Sequence, residues 1–588
     1  MDVSRDPTLN PRLYFGQELS LDPSTRVWAL PGSAQGLGYA SDSFAQRELM
    51  PLLRSAHDLG SMSPELDRMG RSWPARYYLS SHRCNLLRPF SWNRDAAVLE
   101  VGSGCGTITR FLGETFREVL AVEGEQHRAE AGAARTRDQD NVAVVCGPHQ
   151  ALLTGSAFDV VFCVGVLEYS PLFSESPDPL QETLSTLRSR LRDGGVLVLA
   201  IENQLGLKYF TGAAEDHTGL AYDGLEGYRR SGGRGPRTVG RGRLQQLLRS
   251  AGFQTVDFYY PFPDYKFPQV IATHGALETG ASQAPEFISK TLAGDYPPRR
   301  TPLLFDQRAA WHQLGKNQLI QELSNSFLVV ASVDNQQVQV QADWDLVSYS
   351  MAPRRPEFWN QTRAWGLAGP EPTVERVALS PGQPSELLTM PRSYRVPWID
   401  SPTIGQLALD SAMGHRATVA DVARHLEPWV TYLRSHTDAL ERVPGEMIDA
   451  IPQNLIEVSD GIVAIDNEWQ WTQPIQMPIV ISRGLSMLYA RLYETSGISP
   501  LKNTSIGRLI VRTARELGLD YGWGDVREFC EFEAKFRSEV EGAATSAARL
   551  LAVHAVPPPL RRAGLQASSL KMLPRRVSDE LRRRTHPH

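Results

Sequence analysis

The sequence predicts an α/β protein built on a parallel sheet with helices on both faces, followed by an α+β region and a final run of helices. Three observations carry this prediction. From Ala96 to His274, continuous apolar runs alternate with amphipathic ones: AAVLEV, TITRFLGETF, EVLAVE, EQHRAEAGAART, VAVVCG, FDVVFCVGV, PLQETLSTLRSRL, GGVLVLAIE, GRLQQLLRSAGF and VDFYYPF. Strands that are apolar along their whole length are buried on both faces, the pattern of parallel strands joined by helical crossovers. The first run leads straight into three closely spaced glycines, and the next strand ends in an acid about twenty residues later, as nucleotide-binding α/β folds require.

At 588 residues the chain exceeds a single hydrophobic core. Composition divides it into residues 1–94, an N-terminal extension with a helical cap (YYLSSHRCNLLRPF has apolar residues at helical spacing), and 95–275, the parallel sheet. A linker rich in small residues and proline follows over 276–303, then an α+β region over 304–500 and helices with a basic tail over 501–588. Within the α+β region, Asp460-Gly461 joins two short β-prone runs and predicts a hairpin.

The apolar share of 41% and charged share of 22% are those of a globular protein. No apolar run reaches the ~18–20 residues that cross a bilayer, and the start MDVSRDPTLNPRLYFG lacks signal-peptide architecture, so a cytoplasmic protein is expected. Five scattered cysteines without a C-x-x-C pair exclude a disulfide framework and a zinc site, and no metal site is read from the sequence. From Pro557 to His588 there are eight Lys/Arg against two acids, with Leu570, Leu573, Val577 and Leu581 at helical spacing. That pattern suits either a solvated end or a peripheral contact with the inner membrane face or a polysaccharide-assembly partner.

The run VLEVGSGCG brings a buried strand into Gly102, Gly104 and Gly106 ahead of a helix starting near Thr107. Such a turn lets backbone approach a ligand without Cβ obstruction and aims helix amides at it. The dinucleotide fingerprint wants Gly or Ala where this chain has Thr107, which speaks against an NAD oxidoreductase. Glu123 can accept both ribose hydroxyls of an adenosine, a role common to NAD and S-adenosylmethionine sites.

The whole set, E-x-G-x-G-x-G from Glu100, the acid at Glu123, FDVVFCVGVLEY, and LRDGG before VLVLAIEN, resembles the class I S-adenosylmethionine-dependent methyltransferases over residues 95–275. The resemblance implies a Rossmann-like, seven-stranded sheet of order 3-2-1-4-5-7-6 whose last strand, near Gln269 to Thr273, runs antiparallel. It implies that Glu100, Gly102, Gly104 and Gly106 hold the methionine end of the cofactor, Glu123 the ribose, and Gly165, Val166 and Leu167 the floor. Where many relatives carry an acid for the adenine amino group, this chain has Pro148, His149 and Gln150.

The segments IENQLGLKYFTGAAEDHTG and YPFPDYKFP resemble those of bacterial methyltransferases associated with polysaccharide and O-antigen assembly, a group in which the methyltransferase can be fused to a kinase-like domain. A glycan, glycan-linked or small-molecule acceptor follows from that likeness. Nucleic acid does not fit: the net charge is -5, and Gly165-Val166-Leu167-Glu168 stands where base methyltransferases carry an N-P-P-Y-like loop. His217 is the first candidate general base because imidazole titrates near neutral pH, with Glu168, Glu202, Glu215 and Asp216 as alternatives. A loop histidine bonded to backbone is the competing structural reading.

In the second half, IDAIPQNLIEVSDGIVAIDNEW places Asp449, Asn454 and Asp466 at a spacing that resembles the catalytic loop of aminoglycoside and choline phosphotransferases, making 304–500 a kinase-like region. The resemblance implies ATP-Mg and an alternative function, a bifunctional kinase-methyltransferase that phosphorylates and methylates a polysaccharide end. The departures favour a degenerate binding module. There is no lysine between Lys316 and Lys502, Arg376 being the nearest substitute for the ATP-binding lysine, and Met447 and Ile448 replace the usual His-Gly before Asp449.

Overall fold

The computed structural model describes residues 9–30, 44–278 (except 154, 156, 233 and 234), 288, 291, 305, 307–334, 339–351, 359–367, 369–379, 385–391, 393–466, 469–495, 499–541 and 544–556. The chain forms two compact units, Met1–Gly382 with Arg392–Asp400, and Gln383–Pro391 with Ser401–His588. These boundaries replace the expected divisions at 275 and 304. One strand and its neighbours account for the difference.

The first unit is organised by a sheet with, in chain order, β1 (Ser20–Asp22), β2 (Val27–Ala29), β3 (Ala97–Val101), β4 (Glu118–Glu123), β5 (Val142–Cys146), β6 (Phe158–Val164), β7 (Leu191–Glu202), β8 (Thr255–Phe262), β9 (Val270–Thr273), β10 (Ser326–Ser332), β11 (Leu346–Ser350), β12 (Asn360–Trp365), β13 (Thr373–Ala378) and β14 (Ser393–Pro397). Among the described residues they pair in the order β1-β2-β5-β4-β3-β6-β7-β10-β8-β9-β11-β12-β13-β14, fourteen strands rather than seven. From β2 through β7 every neighbouring pair is parallel. All five residues of β3 are buried, as the continuous run AVLEV requires. Helices Thr107–Thr115, Gln126–Arg135 and Pro179–Arg188 supply the crossovers after β3, β4 and β6.

The antiparallel strand expected near Gln269–Thr273 lies farther out than predicted. Val270–Thr273 pairs with the outer side of β8. The slot between β7 and β8 is filled by β10, antiparallel to both, with Ser326 opposite Glu202 and Leu328 opposite Tyr259. SFLVVAS is buried at all seven positions. A strand apolar on both faces needs a neighbour on each side and cover above and below, and only an interior slot offers that. Residues 326–332, assigned from sequence to a separate region, therefore complete the first unit's core.

The N-terminal extension also joins the sheet, Val27 lying opposite Val144. The expected helix over YYLSSHRCNLLRPF is two pieces, an α-helix Trp73–Leu79 and a 3-10 turn Ser81–Leu86. Between them Ser80 is extended and its hydroxyl accepts the His82 N–H at 3.3 Å, the local bond by which serine competes with helix continuation.

The second unit holds helices Ile404–Ala412, Val419–Arg434, Met477–Glu494, Ile506–Glu516, Trp523–Glu541 and Ala547–Ala555, with the expected hairpin Leu455–Val458/Gly461–Ala464, whose turn is Ser459-Asp460, Gly461 being the first residue of the returning strand opposite Val458. No helix among the described residues is long and apolar enough to cross a membrane. The basic tail, 557–588, and most of the 276–303 linker lie outside the described residues.

Candidate functional site

The carboxyl ends of β3, β4, β6 and β7 meet at one edge of the parallel sheet, where open α/β folds keep their ligands. A cavity of about 590 Å³ lies there, lined by Glu100, the 102–105 loop, Glu123, Gly165, Val166, Glu168 and Glu202, with Tyr77, Tyr78 and Arg83 from the N-terminal cap. Gly102, Gly104 and Gly106 all have positive φ (70°, 55° and 81°), a conformation only glycine adopts cheaply. Their roles divide. Gly102 and Gly104 line the cavity, whereas Gly106 caps helix Thr107–Thr115 and abuts Gly132 of helix Gln126–Arg135. Leu167 likewise departs from its expected place: its side chain is buried in the core below the sheet edge, and Gly165 and Val166 form the floor without it.

Glu123 is buried. Its Oε2 accepts the Gly104 N–H at 2.7 Å and its Oε1 the Glu125 N–H at 3.0 Å, so the acid that faces the cavity also ties down the glycine loop. Glu100 is 3% exposed, its Oε2 accepts no hydrogen bond, and burial lifts its carboxyl to about 8. Arg83 stacks 4.2 Å over Tyr77 and donates to the Lys266 carbonyl at 3.1 Å. Neither Arg83 nor Tyr77 carries a motif, and no sequence signal singled them out. A smaller cavity of about 310 Å³ shares Gly102 and Val166 and is lined by Pro148, His149 and Gln150. Burial, with Arg190 adding to it, lowers the His149 imidazole to about 4, which leaves a neutral ring where relatives carry an acid.

The far end of the larger cavity gathers Glu168, Glu202, Asp216, His217 and Lys266. His217 Nε2 lies 3.7 Å from Glu168 Oε1 and 3.9 Å from Glu202 Oε2, and its Nδ1 lies 3.1 Å from Glu215 Oε1. Burial alone pulls the imidazole down, but Glu202, Glu168 and Glu215 together raise it to about 11. The ring is therefore cationic at neutral pH, contrary to the expectation of a neutral base. Glu215 accepts the backbone N–H groups of His217 at 2.7 Å and Thr218 at 2.6 Å, so it fixes the loop. Asp216 is equally committed: Lys208 Nζ at 2.6 Å and the Tyr209 hydroxyl at 2.7 Å donate to it, and although burial raises its carboxyl, Lys208 and Lys266 hold it well below the usual range. Burial raises Glu168, with His217 opposing. Of the candidate carboxylates that line the cavity, Glu168 is the one without a lysine partner among the described residues, since Lys266 pairs with Glu202 and Lys208 with Asp216.

A family profile described as a methyltransferase domain matches residues 99–197, the span from β3 into β7 that contributes the glycine loop and Glu123 to this cavity. The chain carries a methyltransferase domain. No curated protein matches the sequence. Among solved structures, the methyltransferase domain resembles a chain of the complex between the Haloferax volcanii Trm112 methyltransferase activator and a methyltransferase, at 14% identity over 43% of this chain and 90% of that one, TM-score 0.28. It also resembles a Thermotoga maritima SAM-dependent methyltransferase at 15% identity over 47% and 100%, TM-score 0.25. Haemonchus contortus phosphoethanolamine N-methyltransferase 2 is matched at 15% identity over 42% of this chain and 51% of that one, TM-score 0.26. Likenesses this distant add nothing to the assignment, which stands on the domain match and the cavity.

The kinase-like residues lie in the second unit. Asp449 is 5% exposed and receives Arg483 Nη2 at 3.2 Å, while Arg483 Nη1 reaches Glu533 at 2.6 Å. Asn454 Nδ2 donates to the Asp449 carbonyl at 3.1 Å, and Asp466 follows the hairpin, half-buried. Arg376, the substitute for an ATP-binding lysine, sits on β13 in the first unit, its Nε on Thr362 at 3.2 Å. Asp449 thus serves as counter-ion to a buried guanidinium, the opposite of a base aimed at a substrate hydroxyl. Asp449→Ala is expected to destabilise the second unit by about 2 kcal/mol, the cost of a buried charge losing one partner while keeping another. Urea unfolding measures it, and an unchanged midpoint would contradict the structural role.

Proposed function

We propose that the chain transfers the methyl group of S-adenosylmethionine to a hydroxyl oxygen of a glycan or other polyhydroxylated acceptor bound against Glu168, Glu202 and His217. One observation carries the reading: a buried carboxylate free of lysine, Glu168, stands in the same cavity as the glycine loop, at the end away from Glu123. At the cofactor end, the Glu100 carboxyl offers an acceptor to the ammonium of the methionine moiety, Arg83 a positive charge to its carboxylate, and Glu123 acceptors to the ribose. Tyr77, Trp73 and Phe44 from the N-terminal extension line the same cavity.

Methyl transfer is an in-line displacement, so positioning supplies most of the rate. The carbon–sulfur bond breaks with its electron pair remaining on S-adenosylhomocysteine, the carbon–oxygen bond forms, and the hydroxyl proton passes to Glu168, whose raised carboxyl makes it a better base than an exposed acid. His217 stabilises the carboxylates that face the acceptor. The glycan class rests on the resemblance of the 201–219 and 260–268 segments to polysaccharide-associated methyltransferases. The bifunctional alternative would require Asp449 to leave Arg483.

The test is to incubate the purified chain with methyl-labelled cofactor and a panel of sugars, nucleotide sugars and amines, following S-adenosylhomocysteine release. Label is expected on oxygen, and His217→Gln is expected to lower kcat about 10²-fold. Label on nitrogen alone would overturn the hydroxyl reading.

A further inference from the structure

Glu168, Glu202 and His217 come from three separate segments, yet one ligand atom of each lies within 4.8 Å of the others. The 3.7 and 3.9 Å gaps from His217 Nε2 to the two carboxylates exceed hydrogen-bond length. They suit atoms arranged around a cation with bonds of about 2.1 Å, which sets adjacent ligands roughly 3 Å and opposite ones roughly 4 Å apart. Both glutamates are 1% exposed, and the Oε2 of each accepts no hydrogen bond.

His217 Nδ1 is paired with Glu215, which turns Nε2 toward the two carboxylates; a carboxylate behind the ring is the usual partner of a metal-bound imidazole. The neighbouring group Glu202, Asp216 and Asp264 is as tight, but Lys208 and Lys266 supply its positive charge, at 2.6 Å from Asp216 and 3.4 and 3.3 Å from Asp264. Glu202 belongs to both groups and divides its oxygens: Oε1 takes Lys266, and Oε2 faces His217.

We propose that Glu168, Glu202 and His217 bind one divalent cation of the Mg²⁺/Mn²⁺ class, which displaces the Nε2 proton of the His217 imidazolium to solvent and then holds the acceptor's hydroxyl oxygen beside the transferred methyl. Two carboxylates with one imidazole and open positions toward a cavity favour hard, oxygen-preferring cations. Glu168 ligates through Oε1, leaving Oε2 for the hydroxyl proton. The acceptor half of this inference rests on the proposed function, whereas cation binding does not.

The experiment is a titration of the full chain with Mn²⁺ alone, read by the paramagnetic resonance of free Mn²⁺ and by calorimetry, for the native chain and for Glu168→Gln and Glu215→Gln. One saturable site is expected, weakened at least tenfold in each variant. Glu215→Gln leaves all three donors in place and still reads the site if Glu168→Gln fails to unfold cooperatively. Absence of saturable Mn²⁺ binding, or equal affinity in native and variant chains, overturns the site. Mn²⁺ binding without methylation of any hydroxyl would uphold the site and overturn the acceptor reading; oxygen methylation that persists in chelator, with no Mn²⁺ signal, would do the reverse.

Discussion

Glu123→Ala is expected to weaken S-adenosylmethionine binding by about 10²–10⁴-fold. If the ribose lies against Glu123 as proposed, two charge-assisted bonds from its hydroxyls would contribute about 1.5–3 kcal/mol each, and every 1.4 kcal/mol is about tenfold in Kd. A second loss adds to the first, because the same carboxylate holds the Gly104 and Glu125 amides, and without it the loop that receives the cofactor is no longer pre-set. Calorimetric titration of the variant with S-adenosylmethionine measures the sum. Glu123→Gln separates the parts, since an amide retains one acceptor for the loop but loses the charge. An unchanged Kd in Glu123→Ala would mean that the adenosine does not lie against β4.

Gly106→Ala is expected to destabilise the first unit by about 3 kcal/mol. A Cβ at this position would stand 2.7 Å from Gly132 Cα and 3.1 Å from Gly132 O, both backbone atoms that move only if the two crossover helices separate. To that overpacking is added the cost of a left-handed conformation at φ 81°. Gly104→Ala is the comparison: its φ is 55°, but its nearest neighbour would be Tyr78 at 3.8 Å, so only the conformational cost of about 1–2 kcal/mol remains. Urea unfolding of both variants checks the difference, and equal midpoints would show that the helix contact has room to relax.

The parallel half of the sheet was legible because it is locally encoded. AVLEV, EVLAVE and FDVVFCV carry apolar residues on both faces, and the glycines and Glu123 sit at fixed distances along the chain. The antiparallel half was not, since VIAT and SFLVVAS are both plausible last strands and the choice depends on which can fill a slot buried on both sides. The acceptor site shows the same division. Glu168, Glu202 and His217 were legible as polar residues at strand ends, but their joint charge was not, and that charge makes His217 a cation. Lys266 lay inside the segment YPFPDYKFP without a role until the fold brought it to Glu202. Asp449 matched a catalytic spacing, yet Arg483, whose approach decides its role, is too far along the chain for any local pattern to reveal.

The slot between β7 and β8 also sets an order of events during synthesis. When residue 262 has left the ribosome, Leu191–Glu202 and Thr255–Phe262 each lack the neighbour, Ser326–Ser332, that pairs with their edges in the folded chain. Unpaired edges flanked by apolar side chains are where nascent chains pair wrongly with one another. The methyltransferase sheet therefore waits for more than sixty further residues before its core can seal, and a chain cut at the apparent linker would carry every glycine and acid of the cofactor loop on a sheet that cannot close.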